Sequence, residues 1–149
     1  MVNGGYLLEP YVVSEIVDSE GNVVQQNART VVRQVISEET SATMRQIIES
    51  VVTEGTAKNG SVVGYRIGGK TGTAENPRGR DHSTFLSFAP KDNPKIAISV
   101  YVENGGFGAS AALPIASLLE EYYLTDTIRR PELLQYIKDM NIYYPAYDK

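Results

Sequence analysis

Three β-rich runs separated by turn-forming residues constrain this chain more than any other feature. They are Val62 to Thr73, Ser83 to Ala89 and Ile96 to Glu103. Between them stand Asn76-Pro77-Arg78-Gly79 and Lys91-Asp92-Asn93-Pro94, residue types that turn the chain and cannot continue a ladder. The spacing predicts an antiparallel meander of three strands around 62–103. In the last run Ile96, Ile98, Val100 and Val102 alternate onto one face. After Gly105-Gly106-Phe107-Gly108 the period changes, and a helix is predicted from about Ser110 to Tyr123. Ala111, Ile115, Leu118, Leu119 and Tyr122 would form its buried face, and Pro114 sits early enough to be tolerated. The expected class is α+β, an antiparallel sheet with covering helices.

Upstream, residues 11–17 and 22–25 flank Asp18-Ser19-Glu20-Gly21 and read as a β-hairpin. Ser37 is a good helix N-cap, followed by Glu38 and Glu39, which favour the positive end of the helix dipole. Met44, Ile47, Ile48, Val51 and Val52 form an apolar stripe read as core, and Gly55 falls where the helix should end. Beyond Thr125 a short amphipathic helix (Leu133, Leu134, Ile137) leads to the Tyr-rich Ile142-Tyr143-Tyr144-Pro145-Ala146-Tyr147, expected to pack with the terminal helix. Residues 1–124 read as the main domain and 125–149 as a C-terminal extension.

Composition removes several kinds of function. A formal charge of −4 over 149 residues argues against a broad phosphate-binding surface, so no nucleic-acid partner is expected. No apolar stretch reaches the ~18 residues of a membrane span, and the start of the chain lacks the basic and apolar regions of a signal peptide. Cysteine is absent, which excludes thiolate catalysis and Cys-based zinc sites. The single histidine, His82, has no evident partner base or metal ligand and is expected only to begin a strand. No metal or other cofactor is expected.

Three motif readings compete. Gly64-Tyr65-Arg66-Ile67-Gly68-Gly69-Lys70-Thr71 satisfies the phosphate-loop pattern letter for letter. That chemistry needs a strand before the first glycine and a helix after the threonine, where Gly72 and Asn76-Pro77 stand instead. Gly106-Phe107-Gly108-Ala109-Ser110-Ala111 fits a dinucleotide pattern between a strand and a helix, but no second parallel strand can follow in the polar tail. The third reading takes Gly68-Gly69-Lys70-Thr71-Gly72-Thr73-Ala74-Glu75 as the end of a strand. Its Lys-Thr-Gly tripeptide occurs in serine β-lactamases and penicillin-binding proteins.

The surroundings make that tripeptide specific. Asn3-Gly4-Gly5 opens the chain, and Ile16-Val17-Asp18 with Gly21 follows. Then come Val51-Val52-Thr53-Glu54-Gly55-Thr56-Ala57 and the Gly68–Glu75 segment. After it stand Phe85-Leu86-Ser87-Phe88-Ala89-Pro90, Asn93-Pro94-Lys95-Ile96-Ala97, Glu103-Asn104-Gly105-Gly106 and Ala111-Ala112-Leu113-Pro114-Ile115-Ala116. In this order the chain resembles, over roughly residues 3–124, the C-terminal part of the transpeptidase domain of class B penicillin-binding proteins, the elongation-type subgroup above all. Ser87 departs from the pattern, standing where the family often has Gly. A larger departure is that no serine here has Lys three positions on or Asn two positions on. The family's nucleophile motif Ser-x-x-Lys and second motif Ser-x-Asn are therefore missing, and the chain is expected to be an inactive piece of a longer enzyme.

The resemblance implies a partial serine β-lactamase/transpeptidase-like fold plus the N-terminal hairpin. It also implies a parent anchored in the bacterial inner membrane with this domain on its periplasmic face, cross-linking peptidoglycan by serine acyl transfer. Its partners would be D-Ala-D-Ala stem peptides and the β-lactams that imitate them. By the same resemblance Lys70 and Thr73 are catalytic, and Lys70, Thr71, Gly72 and Thr73 bind substrate. Lys70 supplies positive potential for the substrate carboxylate and takes part in proton transfer. The hydroxyls of Thr71 and Thr73 donate to that carboxylate, Gly72 lets the substrate approach, and the Thr73 N–H contributes to an oxyanion hole. Gly68 and Gly69 read as relief of crowding on a packed strand. Asn59-Gly60-Ser61 fits a glycosylation sequon but reads better as a turn. Two alternatives stand beside this reading: a non-catalytic interaction module and a phosphate-loop protein. A family strand from before Met1 would flank Ile96–Glu103, so its unpaired edge is expected to drive self-association through 96–102.

Overall fold

The meander forms as the turn chemistry requires. In the computed structural model, which describes residues 2–62 and 64–142, strands β5 (Gly68–Ala74), β6 (His82–Ala89) and β7 (Ile96–Val102) make one antiparallel sheet in the order β5-β6-β7. Lys70 pairs with Leu86, Thr71 with Phe85, Gly72 with Thr84 and Thr73 with Ser83. Ser83 in turn opposes Val102, and Ala89 opposes Ile96. The β5–β6 turn is closed by Asn76, whose carboxamide oxygen accepts the Arg78 N–H at 3.1 Å.

The first strand is shorter than predicted. Val62 makes only a single bridge to Tyr65, and Gly64 turns the chain at a φ of 86°, so the ladder cannot begin until Gly68. Lys70 and Thr71 lie inside β5 with no helix after them, which removes the phosphate-loop reading. The sheet is wholly antiparallel, which removes the dinucleotide reading.

Helix α1 (Glu38–Thr53) starts at Ser37, whose hydroxyl accepts the Thr40 N–H at 3.1 Å. Its stripe is only partly core. Val52 is buried and Val51 packs against the core, but Ile47 is 52% exposed. Glu49 lies between them, buried, and pairs with Arg66 and with Lys91 at 3.4 Å. The Arg66 guanidinium holds the Glu49 carboxyl below the usual carboxylate range.

Helix α2 (Ala112–Thr125) covers the sheet, and Phe85, Ile67, Val52, Ala112, Leu113 and Ala116 share one apolar core with it. Its buried face corrects the sequence expectation. Ala111 and Leu118 are buried as predicted and Ile115 is half-buried, but Leu119 and Tyr122 are 50% and 54% exposed. Glu120 and Glu121 are fully buried in their place. Arg130 makes this possible for Glu121: its guanidinium bonds the Glu121 carboxylate at 3.3 Å and the carbonyls of Ser61 and Ser117 at 2.9 and 3.0 Å. Helix α3 (Pro131–Lys138) follows and is tied to the rest by the Tyr136 hydroxyl, which donates to the Ser110 carbonyl at 2.9 Å. The segment Tyr143–Tyr147 lies outside the described residues.

Two compact units divide the chain after Met44. In the first, strand β2 (Glu15–Val17) pairs with β3 (Val23–Gln26) as the hairpin reading expects. Asp18 closes its turn by accepting the Glu20 and Asn22 N–H groups, both at 2.9 Å. A second ladder, β1 (Tyr6–Leu8) with β4 (Val31–Gln34), carries no alternation strong enough to be read from sequence. Gly5 explains the opening Asn3-Gly4-Gly5. It has a φ of 88°, and a Cβ there would meet the Ile36 carbonyl oxygen at 2.1 Å. Among the described residues no helix is long and apolar enough to cross a membrane.

Candidate active site

Strand β5 forms one edge of its sheet, so its outer backbone groups have no ladder partner among the described strands. An extended peptide can pair along such an edge, backbone to backbone. All four predicted site residues stand on it consecutively, and the pleat divides them between two faces. Lys70 and Gly72 share the face of their cross-strand partners Leu86 and Thr84; Thr71 and Thr73 share that of Phe85 and Ser83.

Lys70 is exposed, and its ammonium donates to the Thr71 carbonyl. No carboxylate pairs with it among the described residues, so its full charge is available to an anionic ligand. The Thr71 hydroxyl lies 3.3 Å from that of Thr56, in the loop after α1. Gly72 leaves room for the Thr84 side chain, which would have to turn away from any larger residue. A Cβ there would meet the Thr84 Oγ1 at 2.4 Å, and Gly108 presses on its backbone from another side. The Thr73 hydroxyl accepts the Gly108 N–H at 3.4 Å.

The glycines before Lys70 have the packing role expected of them. A Cβ on Gly68 would meet the Phe88 ring at 2.4 Å, and one on Gly69 the Phe85 ring at the same distance. The absence of side chains at 68 and 69 lets the Phe88 ring pack on one face of the strand and the Phe85 ring, in the core, on the other. His82 opens β6, and its Nδ1 accepts the Asn104 N–H at 3.0 Å. That bond gives it a structural task, and among the described residues no cluster of His, Asp and Glu could hold a metal ion.

Sequence reasoning gave no role to Thr56, Ser83 or Gly108, which contact or pair with the site residues, nor to Asn104, which bonds Asn76 and His82 beside them. Thr56 belongs to the resemblance-bearing Val51–Ala57 segment, and Gly108 to the Gly-rich loop. Nothing in the sequence singles out Ser83.

Comparison with known proteins places these observations. The family model described as penicillin binding protein transpeptidase domain matches residues 1–119. Stage V sporulation protein D of Bacillus subtilis is 42% identical over 125 residues, covering 76% of this chain and 19% of that protein. Peptidoglycan D,D-transpeptidase MrdA of Haemophilus influenzae is 38% identical over 87 residues, 48% of this chain and 13% of its own length. Among solved structures, the imipenem acyl-enzyme complex of penicillin-binding protein A from M. tuberculosis aligns with a TM-score of 0.74 at 30% identity. The alignment covers 83% of this chain and 28% of that one. The D,D-transpeptidase domain of a peptidoglycan glycosyltransferase from Eggerthella lenta aligns over the same share of this chain at a TM-score of 0.71 and 28% identity, covering 29% of its own length. The chain therefore spans about a fifth of the first curated relative and less than a third of these structures.

Proposed function

The chain belongs to the penicillin-binding protein transpeptidase family, and from that premise we propose that it forms the third-motif part of a class B, elongation-type peptidoglycan D,D-transpeptidase. The observation that carries the reading is the free edge of β5 with Lys70, Thr71, Gly72 and Thr73 in sequence along it. A D-Ala-D-Ala stem peptide lies along that edge as an added strand, and a β-lactam takes its place. The serine that opens the peptide bond comes from polypeptide other than these residues, because none of the serines here stands in Ser-x-x-Lys. Its attack forms an acyl-enzyme and releases the terminal D-alanine. An amine of a second stem peptide then takes the acyl group.

Each residue of β5 contributes what its position allows. Lys70 offers unpaired positive charge to the substrate carboxylate and a proton route to the leaving nitrogen. Thr71 and Thr73 offer hydroxyls to the same carboxylate. The Thr73 N–H stabilises the oxyanion together with the N–H of the serine; one such donor is typically worth about 3–4 kcal/mol in the transition state. Residues 1–124 form the transpeptidase portion and 125–149 an extension. The parent sits in the inner membrane with this portion on the periplasmic side.

The test is labelling. A fluorescent penicillin should form an adduct that survives denaturation with a complete domain joining residues 1–149 to a Ser-x-x-Lys half. The 149-residue chain alone should form none. Labelling of the short chain, or failure of the complete domain to label, overturns the reading.

One further interaction follows from the other edge of the sheet. Beside β7 an open groove of about 580 Å³ is lined by Ile96, Ile98, Leu119, Tyr122 and Tyr123. A strand edge with no partner among the described strands, flanked by apolar side chains, recruits another strand, and a second copy of this chain is the occupant at hand.

A further inference from the structure

The loop between β7 and α2 is fastened to the β5–β6 hairpin at a series of points. Asn104, at a φ of 55°, accepts from the Asn76 carboxamide at 2.8 Å, and its own N–H goes to His82. The Gly106 N–H donates to the Asp81 carbonyl at 2.8 Å. The last point is Ser83, fully buried and directly opposite Thr73 in the ladder. Its hydroxyl donates to the Phe107 carbonyl at 3.0 Å and accepts the Ala112 N–H at 2.9 Å. Ala112 is the first residue of α2, and the residue before it, Ala111, has no side chain that can cap. A serine on a neighbouring strand thus caps the helix and pins the loop at once.

Between those two anchor points lies Gly108. The Leu113 N–H reaches its carbonyl at 3.1 Å. A Cβ on it would meet the Gly72 carbonyl at 2.4 Å and the Thr84 carbonyl at 2.7 Å, so the loop backbone rests directly on β5 and β6. Its N–H points at the Thr73 hydroxyl. A threonine hydroxyl has one hydrogen and two lone pairs. With Gly108 donating to a lone pair, the hydrogen turns elsewhere, and among the described residues it meets no acceptor.

We propose that Ser83 is a positioning residue for Thr73: by fastening the loop from Phe107 to Ala112 it holds the Gly108 N–H on the Thr73 hydroxyl and leaves that hydroxyl's hydrogen free to donate to a bound carboxylate. This rests on the reading of β5 as the ligand-binding strand. Ser83 touches no ligand; it acts through Gly108.

A double-mutant cycle tests it in the complete transpeptidase domain, with the second-order rate of acylation by a labelled penicillin as readout. Thr73→Val should lower that rate. Ser83→Ala and the isosteric Ser83→Cys should lower it roughly tenfold, the scale of one lost hydrogen bond, in the Thr73 background. In Thr73→Val they should change it less than about twofold, because the hydroxyl they orient is gone. Amide exchange in the 149-residue chain should show faster exchange at Gly108 and Ala112 for Ser83→Cys, with the remaining sheet amides unchanged. If Thr73→Val costs nothing, Thr73 is no ligand-binding group and both the site reading and this proposal fall. If Thr73→Val is slow but the Ser83 variants cost the same in both backgrounds, or cost nothing, the proposal alone is overturned.

Discussion

Glu120 on α2 faces Ser87 on β6 across the interface between helix and sheet, both buried, and neither side chain completes a well-formed hydrogen bond there. Burial raises the Glu120 carboxyl to about 7, against smaller opposing effects of the Ser87 hydroxyl and the Arg130 charge. The folded protein therefore holds Glu120 as a neutral acid in mildly acidic solution. A carboxyl whose folded pKa is raised favours the fold at pH values below its unfolded pKa. That contribution fades as pH rises through the folded value. Wild type should lose stability relative to Glu120→Gln between about pH 4.5 and pH 8, by up to roughly 3 kcal/mol, since each tenfold change in proton affinity is worth about 1.4 kcal/mol. Urea unfolding of both proteins across this range measures it. Parallel pH profiles would show that Glu120 is not held neutral.

A second expectation concerns Gly69. Alanine there brings a methyl carbon to 2.4 Å from the ring of Phe85, which is fully buried and cannot retreat into solvent. Overpacking of this kind typically costs about 1–3 kcal/mol. Gly69→Ala should therefore unfold at clearly lower denaturant than Gly21→Ala, whose new methyl enters open space and whose penalty comes only from a φ of 86°. Equal midpoints for the two variants would mean that the glycine before Lys70 is not kept for packing.

These residues also mark how far the sequence could be read. The meander was legible because its turns contain residues that cannot continue a strand and its last strand alternates cleanly. The four site residues were legible because they are consecutive on one strand, so local order alone brings them together. The buried face of α2 was not. An apolar stripe through Leu119 and Tyr122 is a sound reading of periodicity, but it presumes that Glu120 and Glu121 must be solvated. Arg130, distant from the sheet in sequence, pairs with one oxygen of Glu121, and burial raises the pKa of Glu120 so that less charge is carried inside. Ser83 was equally hidden, because its partners Phe107 and Ala112 lie more than twenty residues away.

Lys70 provides the direct test of the proposed chemistry. Its side chain is exposed and packs against no apolar core, so Lys70→Ala should leave the unfolding midpoint within about 0.5 kcal/mol of wild type, as surface substitutions usually do. In a complete domain the same change should slow acylation by roughly a hundredfold or more, because the charge acts on the developing transition state. Wild-type acylation at wild-type stability would reduce Lys70 to a surface residue.

The last expectation concerns the edge of β7. Lys95 and Glu103 bracket a strand whose outer ladder groups have no partner among the described strands, and Leu119, Tyr122 and Tyr123, with Asp126 at hand, line a largely apolar groove beside it. The unpaired N–H and C=O groups alone would keep contact with water. Docking a second copy would exchange that water for strand pairing and remove the exposed aromatic rings from solvent. Val100 is a poor place to probe this, since it packs against the core and a charge there would threaten the fold. Ser99 is exposed on the same strand and lines the groove. In sedimentation velocity the wild-type chain should associate with rising concentration, and Ser99→Lys, which puts a solvated charge on the edge, should stay monomeric at the same unfolding midpoint. A wild-type chain that remains monomeric throughout would show that the edge of β7 is already satisfied by water.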